Sequence, residues 1–277
     1  MDIDVIYIMF LFVIGFIISF IGGMVGLVLG VIRLPFILST GLSVTESVGT
    51  NIGVSTLGAI TAAIQHIKNR NISFTIFIVM AVTGAAGAFC GALLTKYVEI
   101  NYFLILIALI ISYESFTLLK ENKRRNNDNN RKATQSISNL NQNPIKQNKY
   151  YDIFLQSIIS FFVGILGGLV GLVLGSIRLP ALIKILKTEP KVAVGTNMLI
   201  SSVMGMSGFI GHFISNEINL LYLIILGPSS MIGGFLGAKY TNNLSSDYLK
   251  KLIGIVLAIV ALTIFFSIFM GFNILYS

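Results

Sequence analysis

Residues 22–35 read GGMVGLVLGVIRLP and residues 167–180 read GGLVGLVLGSIRLP, a second copy displaced by 145 positions and identical at twelve of fourteen. Each copy is a Gly-rich apolar run that ends in one arginine, Arg33 or Arg178, with Pro35 or Pro180 two residues later. An arginine inside a membrane-type segment costs roughly 3 kcal/mol on insertion scales, so such a charge ordinarily faces a polar cavity or a partner. Proline removes a backbone donor and clashes with the preceding turn. Gly26, Gly30, Gly171 and Gly175 permit irregular backbone or close helix contact. The pattern therefore predicts a helix broken by glycine and proline around the arginine in each copy.

The surroundings are membrane-like. The chain of 277 residues is 55% hydrophobic and only 11% charged, against about 25% charged in ordinary soluble domains. Its mean hydropathy is +0.87, and apolar runs of about 20 residues recur, each long enough to cross a hydrocarbon core. The expected fold class is an all-α, polytopic integral membrane protein.

The formal charge of +8 does not point to nucleic acid. Eight of the nineteen Lys and Arg residues lie between Lys120 and Lys149, with two acids, Glu121 and Asp128. A basic block beside membrane spans is a cytoplasmic topology signal that can touch anionic lipid. The single cysteine, Cys90, excludes an intrachain disulfide and a multi-cysteine metal site. Its Gly and Ala neighbours predict a packed core position. The start, Met1-Asp2-Ile3-Asp4, has no basic n-region and reads as an uncleaved first span.

The repeat extends beyond the arginine motif. After a one-residue insertion, Val48-Gly49-Thr50-Asn51 aligns with Val194-Gly195-Thr196-Asn197. His66 falls on His212, the two histidines of the chain, and Gly87, Gly91 and Ala92 fall on Gly233, Gly237 and Ala238. Three parts follow: a first transmembrane repeat, 1–120, a basic Asn-rich linker, 121–149, and a second transmembrane repeat, 150–277. In each repeat a broken stretch (5–41 and 153–187) precedes three spans, near 46–66, 72–95 and 101–120, then 192–212, 218–239 and 248–271.

If the broken stretch is a hairpin, whether full or re-entrant, the repeats are inverted in the membrane. If it crosses once, they are parallel. The hairpin with a cytoplasmic linker puts Lys68, Arg70, Lys184, Lys187, Lys191, Lys239, Lys250 and Lys251 inside and Asp2, Asp4, Glu99 and Glu217 outside, with only Lys96 misplaced. The parallel arrangement exports most of those lysines. The positive-inside rule favours inverted repeats, a cytoplasmic linker and extracellular termini.

A pseudo-twofold axis in the membrane plane would bring Arg33 and Arg178 together near mid-depth. Guanidiniums stay protonated and offer planar, bidentate donors, which suits a small oxyanion. The competing reading is structural: each arginine caps carbonyls at a break, or pairs with Glu46 or Glu114. Neither acid is repeated, since Glu46 aligns with Val192 and Glu114 with Val260. Thr50, Asn51, Thr196 and Asn197 are either helix caps or further anion donors. His66 and His212 are either interfacial anchors or groups for proton coupling or gating. Gly84, Gly87, Gly91, Gly233, Gly234 and Gly237 read as helix-packing positions. No catalytic motif, nucleotide-binding segment or metal-ligand cluster is present, so an enzyme and an ATP-driven pump are both excluded, and no cofactor is expected.

The ordered set, seen twice, resembles the TauE/SafE family of membrane transporters. The resemblance covers both repeats. Its carriers are the Gly-rich stretches before Pro35 and Pro180, the Gly49-Thr50-Asn51 and Gly195-Thr196-Asn197 triplets, the two histidines and the later Gly-x-x-x-Gly-Ala segments. Val28-Leu29 and Val173-Leu174 replace part of the glycine run usual in the family. The resemblance implies secondary transport of sulfite or organosulfonates such as sulfoacetate across the cell membrane, with protons or sodium as candidate coupling ions and the oligomeric state left open. An anion channel and a non-transporting membrane binding or assembly protein remain the alternatives.

Overall fold

A computed structural model describes residues 5–98, 105–120, 149–170 and 174–269. Every regular element among them is helical. The first repeat contributes α1 (Val5–Val25), α2 (Gly30–Leu38), α3 (Val44–Lys68), α4 (Phe74–Leu94) and α5 (105–120). The second contributes α6 (Lys149–Val170), α7 (Gly175–Lys184), α8 (Pro190–Ile214), α9 (Leu220–Tyr240) and α10 (Ser246–Phe269). Seven of the described helices are long and apolar enough to cross a membrane: α1, α3, α4, α6, α8, α9 and α10. Large side chains such as Val82, Leu262 and Phe266 are exposed on the outer surface, as expected of a lipid-facing protein.

The helix breaks fall earlier than the prolines suggest. The chain leaves α1 at Val25, turns through Gly26 at φ +75° and re-enters helix at Gly30. Pro35 and Pro180 lie inside α2 and α7 and do not interrupt them. Each proline forfeits a single backbone bond, a loss these short, packed helices tolerate. The left-handed turn at Gly26 ends α1, and no L side chain fits there: a Cβ would meet the Val194 backbone at 2.6 Å. Gly171, expected at the second break, lies outside the described residues. At nine residues, α2 is about 13 Å long, less than half of the ~30 Å hydrocarbon core. With the non-helical residues 27–29 ahead of it, it runs back along α1 to that helix's first turns, where Tyr7 Oη donates to the Phe36 carbonyl (3.0 Å) and Phe10 packs edge-on against Phe36.

The two repeats interlock. α1 packs along α9, α6 along α4, and α3 contacts both α8 and α9. Glycines make the approach possible. A Cβ at Gly87 or Gly91 would sit 2.2 Å from the carbonyl oxygen of Phe161 or Ile165, and at Gly237 1.9 Å from that of Phe20. The small-residue positions thus act as expected. Cys90 does not. It is exposed, because the packed face of α4 is the stripe through Gly84, Gly87, Ala88, Gly91 and Ala92, and Cys90 points away from it.

The cross-repeat contacts are reciprocal. Gly49, near the start of α3, abuts the Glu217 carbonyl after α8, and Gly195, near the start of α8, abuts the Asn71 carbonyl after α3; both Cβ distances would be 2.0 Å. Thr50 Oγ1 accepts from the Asn219 amide, and Thr196 Oγ1 accepts from the Ser73 amide, each at 2.9 Å. α3 and α8 therefore run antiparallel across the centre.

Replacing Gly237 or Gly91 by Ala should cost about 1–3 kcal/mol of overpacking, read as a lower thermal midpoint in detergent. Cys90→Ala should leave it unchanged. A wild-type midpoint for Gly237→Ala would contradict the packing.

Candidate functional site

Both arginines are buried, Arg33 at 2% exposure and Arg178 at 0%. Each stands one turn into its short helix and reaches the long helix that follows. Arg33 Nε donates to Asn51 Oδ1 (3.1 Å), and its Nη2 donates to Ser55 Oγ (2.6 Å) and the Asn51 carbonyl (3.3 Å). Arg178 repeats the set: Nε to Asn197 Oδ1 (2.7 Å), Nη2 to Ser201 Oγ (2.6 Å) and to the Asn197 carbonyl (3.3 Å). The two serines carry no signal in isolation. They sit four residues after the duplicated Asn, one helical turn on, and that spacing could have found them.

Neither guanidinium meets a carboxylate among the described residues. The acids considered as partners are used elsewhere. Glu46 closes a capping box with Ser43 at the start of α3, and Glu114 on α5 pairs with Lys184 at the end of α7 (2.6 Å). A buried charge without a counter-ion is held only by dipoles, at a cost of several kcal/mol relative to water. The carbonyl contacts show that each arginine also braces its long helix.

Asn197 ties the two breaks together. Its Oδ1 accepts from Arg178, while Nδ2 donates to the Gly26 carbonyl (2.6 Å) in the other repeat and to the Gly175 carbonyl (3.2 Å). Gly30 and Gly175 leave room for the asparagines, since a Cβ would fall 3.0 Å and 2.7 Å from Asn51 Nδ2 and Asn197 Nδ2. A small cavity joins the breaks, lined by Val28 and Leu29 from one and Leu174 and Ser176 from the other. A second cavity of about 20 Å³ opens beside Arg33, with Ser19, Gly30, Ser55 and Ser230 in its lining. That is room for about one water molecule. Thr50 and Thr196 line neither cavity; their oxygens serve the cross-repeat amide bonds described above.

The histidines, each in the last turn of its long helix, are buried as well. His66 Nε2 donates to the Gly23 carbonyl and His212 Nε2 to the Gly168 carbonyl, each at 3.2 Å, so each ring fastens a long helix to the end of α1 or α6. Among the described residues only His212 has an acid beside it: Nδ1 lies 2.7 Å from Glu217 Oε2. The corresponding position in the first repeat is Asn71. With Nε2 committed as a donor, the His212–Glu217 contact needs a proton on Nδ1 or on the carboxyl. Sequence reasoning assigned Glu217 only to a loop, because an unrepeated acid carries no pattern.

Asn197→Leu would strip partners from Arg178, Gly26 and Gly175, each worth about 1–3 kcal/mol when buried and unpaired. It should lower thermal stability in detergent far more than Glu46→Gln. Equal midpoints would contradict the bridging role.

A family model described as Sulfite exporter TauE/SafE matches residues 11–264. The chain is similar to the Bacillus subtilis (strain 168) protein described as probable membrane transporter protein YunE, 27% identical over 216 residues, 77% of this chain and 78% of that one. It is also similar to the probable membrane transporter protein YdhB of the same organism, 25% identical over 232 residues, 81% and 86% of the two chains. No solved structure matches.

Proposed function

The chain belongs to the TauE/SafE sulfite exporter family, and on that premise we propose that it carries a small sulfur-containing anion, sulfite or an organosulfonate such as sulfoacetate, across the cell membrane by alternating access. It is a multi-pass membrane transporter, not an enzyme. The observation that carries the choice of cargo is the pair of buried guanidiniums with no carboxylate beside them among the described residues. A cation carrier would place acids where this chain places arginines.

Arg33 and Arg178 supply the positive field, and Asn51 and Asn197 hold them against the long helices. Thr50 and Thr196 connect that field to the interface between repeats. The turn at Gly26–Leu29 gives the backbone of the first repeat its freedom to rearrange. The antiparallel α3 and α8 and the reciprocal contacts support repeats inverted in the bilayer, and the basic loops support a cytoplasmic linker. Cavities of one-water size, closed in by packed helices, favour a carrier over an open pore. The proton shared by His212 and Glu217 supports proton coupling or gating there.

Sulfite flux into proteoliposomes tests the cargo. Arg33→Gln should reduce it by about tenfold or more, the loss expected when a charge-assisted contact is removed. Wild-type flux in that variant would remove the arginine from the reading, and absence of flux of sulfite and sulfoacetate through the unmodified protein would remove the cargo. His212→Gln should flatten the pH dependence of flux while His66→Gln preserves it. Two unchanged profiles would exclude coupling through His212.

A further inference from the structure

We propose that the anion docks in one repeat only, beside Arg33, where the one-water cavity widens as the carrier opens, and that the equivalent place beside Arg178 is plugged by the thioether of Met204. This rests on the anion-carrier reading and deepens it by dividing the two arginines into a ligand-binding one and a bracing one.

The duplication makes the comparison position by position. Arg33 and Arg178 share Nε and Nη2 partners. They differ at Nη1. Arg178 Nη1 is occupied, 2.6 Å from Met204 Sδ. Arg33 Nη1 donates to no described residue, although the side chain is 2% exposed and lines a cavity of about 20 Å³. The position equivalent to Met204 is Gly58, which lines that cavity.

The neighbours differ in step. Ser19 and Ser230 line the Arg33 cavity, and their equivalents are Gly164 and Gly84. A Cβ at Gly84 would lie 2.6 Å from Met204 Sδ, so that glycine makes room for the plug. At Gly58 a Cβ would lie 2.3 Å from Ser230 Oγ, so this glycine makes room for a hydroxyl. Where the second repeat has a thioether, the first has two hydroxyls, Ser19 and Ser230, and a void.

The donor set suits an oxyanion. Arg33 Nη1 brings two N–H groups. Ser55 Oγ accepts from Arg33 Nη2, which leaves its own hydrogen free for a ligand. Ser19 and Ser230 bond to each other at 2.8 Å, so one of the two keeps a hydrogen to give. The start of α2 lies at the same cavity through Leu29 and Gly30, with no side chain capping it. Free amides and the positive end of the helix dipole add to the field. No acid lines the cavity.

A matched pair of variants of the full chain in detergent, titrated calorimetrically with sulfite, decides the matter. Ser55→Ala and Ser201→Ala each delete the same bond in the two repeats, one Nη2 acceptor at 2.6 Å. Ser55→Ala should weaken sulfite binding by about tenfold, the value of one lost bond to a charged ligand. Ser201→Ala should stay within about twofold of the unmodified protein, as should Met204→Leu. Ser230→Ala, which touches no arginine, should also weaken binding and stands in if Ser55→Ala does not fold. Equal losses in the serine pair, a greater loss in Ser201→Ala, or intact binding in Ser230→Ala would overturn the asymmetry while leaving the carrier reading in place. An unmodified protein that neither binds nor moves sulfite or sulfoacetate would overturn both.

Discussion

A guanidinium cannot sit in a membrane protein's interior unless something answers its charge, and this chain buries two. That requirement explains the surrounding architecture. Asn51 and Asn197 present amide oxygens one way and, in the case of Asn197, amide hydrogens the other, so the arginine of one repeat is linked to the broken backbone of the other. The serines one turn later complete the dipolar shell. The glycines around the breaks let these groups approach. Dipoles alone leave both guanidiniums net positive, and Arg33, which lines a cavity, is the one an anion can reach.

The repeats are two copies of one plan that fold as one body. Each first helix packs on the other repeat, α1 on α9 and α6 on α4, through backbone contacts that only glycine allows. The threonine-to-amide bonds and the glycine-to-carbonyl contacts recur with the partners exchanged. Against that background the differences stand out: Glu217 stands where the first repeat has Asn71, and Met204 occupies what Gly58 leaves open. A duplicated transporter can divide labour this way, with one copy keeping the ligand-binding role and the other a proton-holding one.

Much of this was legible before any coordinates. Composition and run length gave the all-helical membrane class, and the repeated motif located both arginines, both asparagines and both breaks to within a few residues. The exact place of each break was not legible, because proline is the louder breaker in sequence yet a positive φ at Gly26 ends α1. Cys90 was misplaced for a similar reason: small neighbours imply packing, but which face of α4 is packed depends on where α6 lies. Ser55, Ser201 and Met204 carry no signal in the sequence, and Glu217 signals only topology, because common residue types say nothing of a site until a charged partner is known to stand beside them.

The central claim is that a small oxyanion neutralises the buried positive charge beside Arg33. Its most direct test is a structure of the protein equilibrated with selenite, the selenium analogue of sulfite, with anomalous diffraction locating the selenium atom. The account predicts one ordered peak within hydrogen-bonding reach of Arg33 Nη1 and Ser55 Oγ, and none beside Arg178. Selenium found only at surface lysines, or at neither arginine, would contradict it.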